Sequence, residues 1–260
     1  MIREFAQETL SERVLPLKKS AIIVKYIMIS RKIIKSLVEM SDPAKACSYA
    51  RFFQTHKGGY GEGDRFYGIT VPAQKAVAKK YYKETGIEDL AVLLKDPYHE
   101  VRLTALMIAV EKFKKADEKE KKALFGLYLK NTRFINNWDL VDCSAPKIVG
   151  AWLFDKDRAV LYKLALSKDL WERRIAVIAS FYFIRMGEPQ DALKICEILL
   201  GDEHDLIHKA CGWMLREIGG RDMKAERDFL DKHKKVMPRT MLRYAIEKFP
   251  EELRLSYLRK

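Results

Sequence analysis

From Arg31 onward, apolar residues recur at three- and four-residue spacings, the period of an α-helix with one buried face. No stretch sustains the two-residue alternation of a half-buried strand, and no Asn-Gly turn joins two apolar runs. The spacing predicts roughly twelve to fourteen helices joined by short turns. Prolines mark the starts. Asp42-Pro43, Val71-Pro72, Asp96-Pro97, Glu188-Pro189, Met237-Pro238 and Phe249-Pro250 each precede an apolar periodic run, where a missing N–H costs the helix nothing.

Two kinds of helix are expected. Segments 118–130 and 155–166 are amphipathic, with a charged face. Segments 103–110 and 175–184 are apolar almost all round and must lie between neighbours. Such outer and inner helices in antiparallel pairs predict an all-α fold, an α-solenoid of HEAT-like repeats with a curved inner layer. Arg102 to Arg174 is 72 residues, two units of 36, and Arg174 to Lys209 is 35. Each unit sets a basic residue near the start of its inner helix. One such residue reads as a local cap or salt bridge; a row at the repeat period predicts a basic concave face in which a duplex could lie.

Residues 31–260 read as one HEAT-like domain and residues 1–30 as a loosely attached N-terminal extension. Its apolar part, Ser20 to Ser30, is interrupted by Lys25 and lacks the small-residue cleavage site of a signal peptide.

Charge narrows the partner. Lys and Arg number 49 against 36 Asp and Glu, a net +13, in a chain that is 48% hydrophobic and 33% charged. That is a globular composition with an excess suited to a polyanion: DNA, RNA or an acidic membrane surface. No apolar run reaches the about eighteen residues of a membrane span. Cys47, Cys143, Cys196 and Cys211 form no CxxC pair and sit in apolar helical patterns. They read as reduced core residues of a cytosolic protein, with no iron–sulfur spacing.

Three segments carry candidate chemistry. In Asn136-Asn137-Trp138-Asp139-Leu140-Val141-Asp142, Asn136 can cap a helix on which Trp138 and Asp142 share a face at i and i+4. Pro146 removes the helical donor for the Asp142 carbonyl and predicts a kink. From the residues alone, packing of Trp138 between repeats with Asp142 capping a neighbouring helix is the more ordinary reading. In His208 to Arg216, Lys209, Trp213 and Arg216 fall on one stripe, an indole with two cations suited to a base or sugar flanked by phosphates. Gly212 within this helix suggests a close neighbour. In Trp171-Glu172-Arg173-Arg174, Arg174 opens an inner helix and Trp171 reads as packing.

Two patterns are set aside. His204 and His208 have HExxH spacing, but Asp replaces Glu and no third ligand follows at a telling distance, so no metal is expected. The glycines of Lys57-Gly58-Gly59-Tyr60-Gly61-Glu62-Gly63-Asp64 follow no strand and precede no GK[ST]; they read as a flexible connector.

Taken in order, Asn-Trp-Asp-Leu-Val-Asp before a proline, Trp-Glu-Arg-Arg-Ile-Ala and Lys-Ala-Cys-Gly-Trp-Met-Leu-Arg-Glu resemble the AlkD-like DNA glycosylases. So does Gly61-Glu62-Gly63-Asp64 leading to Gly68-Ile69 and Val71-Pro72. The resemblance covers about residues 35 to 250. It implies a HEAT-like array that hydrolyses the N-glycosidic bond of cationic N7- or N3-alkylated purines in double-stranded DNA, without base flipping and with no cofactor. The family's catalytic carboxylate falls on Asp142, its site tryptophans on Trp138 and Trp213, and its central arginine on Arg174. Arg216 and Lys209 are expected at the DNA backbone. Phe52 stands where some members carry a tyrosine, and Asn137 where some carry another aromatic.

A cationic base leaves neutral and needs no general acid, which suits one carboxylate facing the sugar. An isolated carboxylate about 4 Å from that cation is worth roughly 4 kcal/mol at an effective dielectric near 20, around a thousandfold in rate. Arg174 cannot stabilise a cation and is assigned to phosphate contact. A monomer in a bacterial or archaeal cytosol is expected. Two other readings use the same helices: a DNA- or RNA-binding solenoid without catalysis, and a protein-interaction scaffold.

Overall fold

A computed structural model describes residues 29–259. In chain order the helices are α1 (29–38), α2 (Pro43–Phe52), α3 (Val71–Tyr81), α4 (Ile87–Leu93), α5 (His99–Phe113), α6 (Glu118–Lys130), α7 (Trp138–Ala145) and α8 (Ala151–Leu153). There follow α9 (Ala159–Ala165), α10 (Leu170–Ala179), α11 (Phe181–Arg185), α12 (Gln190–Ile198), α13 (Asp205–Gly219), α14 (Met223–His233), α15 (Arg239–Ala245) and α16 (Glu251–Leu258). Among the described residues there is no strand, only an isolated bridge between Arg65 and Tyr98.

The helices form two layers. In one, α3, α5, α7, α10, α13 and α15 pack in series; α4, α6, α9, α12 and α14 flank them. The apolar inner helices are buried as their composition demands: Thr104, Ala105, Ile108 and Ile175 to Ala179 are inaccessible. Helix α6 occupies the residues its pattern predicts. Helix α9 is shorter than its pattern, because Asp157 accepts from the Ala159 N–H and the helix starts there. Pro43 and Pro72 sit in first turns, and Pro189, Pro238 and Pro250 at N-caps.

Local chemistry sets the other starts. Asp42, Asp117, Asp169 and Asp222 each accept from a first-turn N–H of the helix they precede. Helix α7 is capped by Asn137, whose Oδ1 accepts from the Trp138 N–H, rather than by Asn136. Asn136 turns away to accept from Arg102. The break at Pro146 takes the form of a π-turn, Pro146–Gly150, between α7 and α8. The widened turn absorbs the missing donor and the inner rod continues. At Gly212, α13 packs directly on α15: a Cβ there would meet the Met241 carbonyl oxygen at 2.5 Å.

The expected extension, residues 1–30, lies outside the described residues except for Ile29 and Ser30. Those two belong to α1 and are buried; the Ser30 N–H donates to Asp89. Of the cysteines expected in the core, Cys196 and Cys211 are there and Cys143 is half-buried, but Cys47 is exposed, because α2 buries none of its residues.

Candidate active site

Helix α7 begins beneath a cleft of about 740 Å³ that opens to the surface between α3, α5 and α7. Trp138, Asp139 and Asp142 line it together; Asp142 stands four residues after Trp138 and three after Asp139, both spacings of one helix face. Trp138 stacks on Phe53, 5.5 Å between centroids, and meets the ring of Phe52 edge-on at 6.1 Å. Phe52 is 63% exposed, so the aromatic surface continues outward. Behind Trp138 and Asp139 lies a second, apolar chamber of about 650 Å³, walled by Phe52, Phe53 and Phe66.

Arg174 reaches Asp142 from α10. Its Nε donates to Oδ1 at 2.9 Å and its Nη2 to Oδ2 at 2.7 Å, while Nη1 donates to the Leu206 carbonyl at 2.6 Å. Burial pushes the Asp142 pKa up, with the Arg174 charge and its hydrogen bonds opposing. Cys143 shares the cleft, but burial pushes its thiol up to about 12, so it is no nucleophile near neutrality.

Two sequence expectations need correction. Two of the three basic residues of the expected row do not line a groove: Arg102 and Arg174 are both buried and paired with carboxylates. Arg174, expected at a phosphate, has all three nitrogens engaged within the protein. The physical reason is that an inner-helix start faces the neighbouring repeat, where a buried cation requires an anion. Trp213 does not join the cleft lining. It packs on Phe181 at 5.6 Å, and its Nε1 donates to Glu217. Lys209 is half-exposed beside Asp205 at 2.7 Å, and Arg216 pairs with Glu247. Trp171 is buried as packing, with Tyr60 edge-on at 6.2 Å. His204 caps α13 through its Nδ1 and His208 bonds the Asp202 carbonyl; among the described residues no cluster of three or more His, Cys, Asp or Glu could hold a metal.

Two features escaped the sequence reading. One is a set of exposed lysines around the cleft: Lys75 and Lys79 on α3, Lys114 and Lys115 after α5, and Lys147 in the π-turn. The i, i+4 pair Lys75 and Lys79 is visible in the sequence, but nothing there places it opposite α7. The other is a buried polar network. His99 Nε2 lies 2.8 Å from Asp139 Oδ2, and its Nδ1 lies 3.2 Å from Asp64 Oδ2. Arg102 Nη2 donates to Asp64 Oδ1 at 2.7 Å. Asp64 closes the glycine-rich loop, so that loop is more than a connector. The adjacent Glu100 accepts from the Tyr67, Gly68 and Ile69 N–H groups and ties the returning chain to α5.

A two-layer helical repeat array with an aromatic–carboxylate cleft defines the class. The chain belongs to the DNA alkylation repair enzyme family, whose sequence profile matches residues 33–249. No curated protein sequence matches it. Among solved structures, a predicted DNA alkylation repair enzyme from Enterococcus faecalis superposes with a TM-score of 0.63 at 18% identity, covering 82% of this chain and 98% of that one. AlkD2 from Streptococcus mutans superposes with a TM-score of 0.52 at 17% identity, covering 79% and 97%. At such identities the likeness is one of fold. No described helix is long and apolar enough to cross a membrane.

Proposed function

We propose that this protein is a DNA glycosylase that hydrolyses the N-glycosidic bond of cationic N7- or N3-alkylated purines in duplex DNA. The observation that carries this reading is Asp142, held by Arg174 and set beside Trp138 in an open cleft.

The alkylated base is already a cation and departs neutral, so the site has only to stabilise the sugar it leaves behind. Asp142 presents its free edge to that developing charge, and the Trp138 face adds a cation–π contact. The guanidinium behind the carboxylate weakens its field. A carboxylate about 4 Å and a guanidinium about 8 Å from the sugar leave roughly 2 kcal/mol at an effective dielectric near 20, about thirtyfold in rate. This is half of what an isolated carboxylate would supply; in exchange, Arg174 keeps a buried carboxyl ionised and aimed.

The rim lysines, rather than Arg174, contact the phosphates, with Lys209 and Arg216 further along the same layer. Phe52 extends the aromatic wall beside Trp138 and is assigned to the DNA surface. Trp213, two turns into α13, is assigned to the strand away from the cleft. The cleft opens to the surface, which favours attack on a lesion still stacked in the duplex over capture of a flipped base.

The test is release of 7-methylguanine from methylated duplex DNA. Wild-type protein is expected to release it, and folded Asp142→Asn to lose at least tenfold in rate; full activity in that variant would falsify the mechanism. A DNA-binding array without catalysis draws on the same buried ion pair. It predicts duplex binding with no base release.

A further inference from the structure

Asp142 is not the only carboxylate in the cleft. Asp139, three residues earlier on the same face, lines both the cleft and the aromatic chamber behind it. Its side chain is 17% exposed, close to the 19% of Asp142. Each has a buried cation at its back. For Asp142 this is a guanidinium, which never releases its proton. For Asp139 it is an imidazole. His99 is almost wholly buried, and each ring nitrogen faces a carboxylate, Asp139 from α7 and Asp64 from the glycine-rich loop. Both nitrogens therefore carry hydrogen and donate, which makes the ring an imidazolium.

Its surroundings fit that charge. The rings of Phe53 and Phe66 lie 5.0 and 4.8 Å from the imidazole, close enough for cation–π attraction. Arg102, on the same helix, is taken up by Asp64, Asn136 and two carbonyls. Glu100 faces the other way, onto the Tyr67 to Ile69 amides. The groups facing His99 are thus two anions and one neutralised cation. Burial alone would lower the His99 pKa, but its bonds to Asp139 and Asp64 outweigh this and raise it.

We propose that Asp139 is a second catalytic carboxylate, which takes the proton of the attacking water, and that His99 is the positioning residue that holds it there. The inference rests on the glycosylase reading above. The division of labour follows from the partners. Asp142 has both oxygens tied to one guanidinium and acts as a fixed charge toward the sugar. Asp139 gives Oδ2 to His99 and Oδ1 to the Leu140 N–H, so its plane is fixed while its remaining lone pairs face the cleft. In the step, the water oxygen bonds to C1′ and the C1′–N bond breaks, its electron pair leaving with the base. The base departs neutral, and the water proton passes to Asp139. No other reactant is needed.

The experiment has two parts. The first measures single-turnover release of 7-methylguanine from duplex DNA between pH 6 and 9. Asp139→Asn is expected to lose at least tenfold in rate with unchanged duplex affinity. Asp64→Asn, whose side chain is outside the cleft, is expected to keep its rate near pH 6 but to lose activity about one pH unit earlier on the alkaline side, because His99 has lost one of its anions. A residue that only supported the fold would not move that limb. The second part reads the imidazole directly by nitrogen NMR. In wild-type protein at pH 7 both His99 nitrogens are expected to be protonated, a result that depends on neither activity nor the folding of a variant. The proposal is overturned if Asp139→Asn works at the wild-type rate while Asp142→Asn does not, or if the His99 ring is neutral. If Asp142→Asn is also unimpaired, it is the glycosylase reading that has failed.

Discussion

Arg174 and Asp142 meet through two parallel hydrogen bonds of 2.9 and 2.7 Å, and the third guanidinium nitrogen is anchored on the Leu206 carbonyl at the start of α13. One side chain therefore joins α7, α10 and α13. Replacing it with alanine leaves a buried carboxylate unpaired, at a cost of about 3–5 kcal/mol. Arg174→Ala is expected to melt well below wild type. Arg174→Lys restores a point charge but not the fork, so it is expected to recover stability only in part and to leave base release low. Thermal melts and single-turnover excision, measured on the same samples, check both.

The rim lysines predict a salt dependence. Removing one cation from a phosphate lowers the slope of log K against log salt by about 0.9 for duplex DNA. Lys79→Gln and Lys147→Gln are each expected to reduce the slope by about that amount, without altering the excision rate at saturating protein. Arg102→Gln is expected to disturb stability instead, since its guanidinium is buried against Asp64. Duplex titrations at several salt concentrations separate the two behaviours.

Glu226 gives the fold a pH signature. It is buried beneath α13 with Oε1 unpartnered, and burial pushes its pKa up to about 8, against the Arg216 charge. The folded state thus holds this proton more tightly than the unfolded chain does. Its contribution to stability is fully present below the ordinary carboxylate range and is lost as pH rises to about 8. Glu226→Gln removes the ionisation, so its melting temperature is expected to exceed wild type at pH 8 and to approach it near pH 4.5. A variant that follows wild type at every pH contradicts this.

Gly212 is a packing requirement. An added Cβ would stand 2.5 Å from both the Met241 carbonyl oxygen and the Tyr244 Cβ. Helix propensity favours Gly212→Ala by about 1 kcal/mol, but the clash with α15 backbone opposes it and should win. The variant is expected to melt below wild type, by calorimetry or circular dichroism.

The repeat architecture was legible because it rests on local periodicity and punctuation: α6 begins after its aspartate cap, and the prolines mark helix starts. Trp138 and Asp142 were legible as a pair because helical spacing alone puts them on one face. The partners were not. Arg174 looked like a surface cation because its helix turn is polar in sequence, and only packing of α10 against α7 turns it inward. His99 lies 35 residues from Asp64 and 40 from Asp139, so no periodicity connects them. Asp64 itself ended a glycine-rich run whose composition suggested a plain connecting loop. Trp213 was placed by resemblance, and its own helix face points it toward Phe181.

The π-turn at Pro146–Gly150 has a further consequence. A five-residue turn holds one residue more than the α-helical turn it replaces. Deleting Pro146, which has no N–H to give, would therefore let the rod close into uninterrupted α-helix without rotating what lies beyond it, because the wide turn already takes up the surplus residue. Trp152 would keep its place over Phe125, and the change would fall on the turn itself, where Lys147 lines the cleft rim. The wide turn acts as a phase adjuster: it takes up the surplus residue, so the first half of this rod serves the cleft while the second half keeps step with the core.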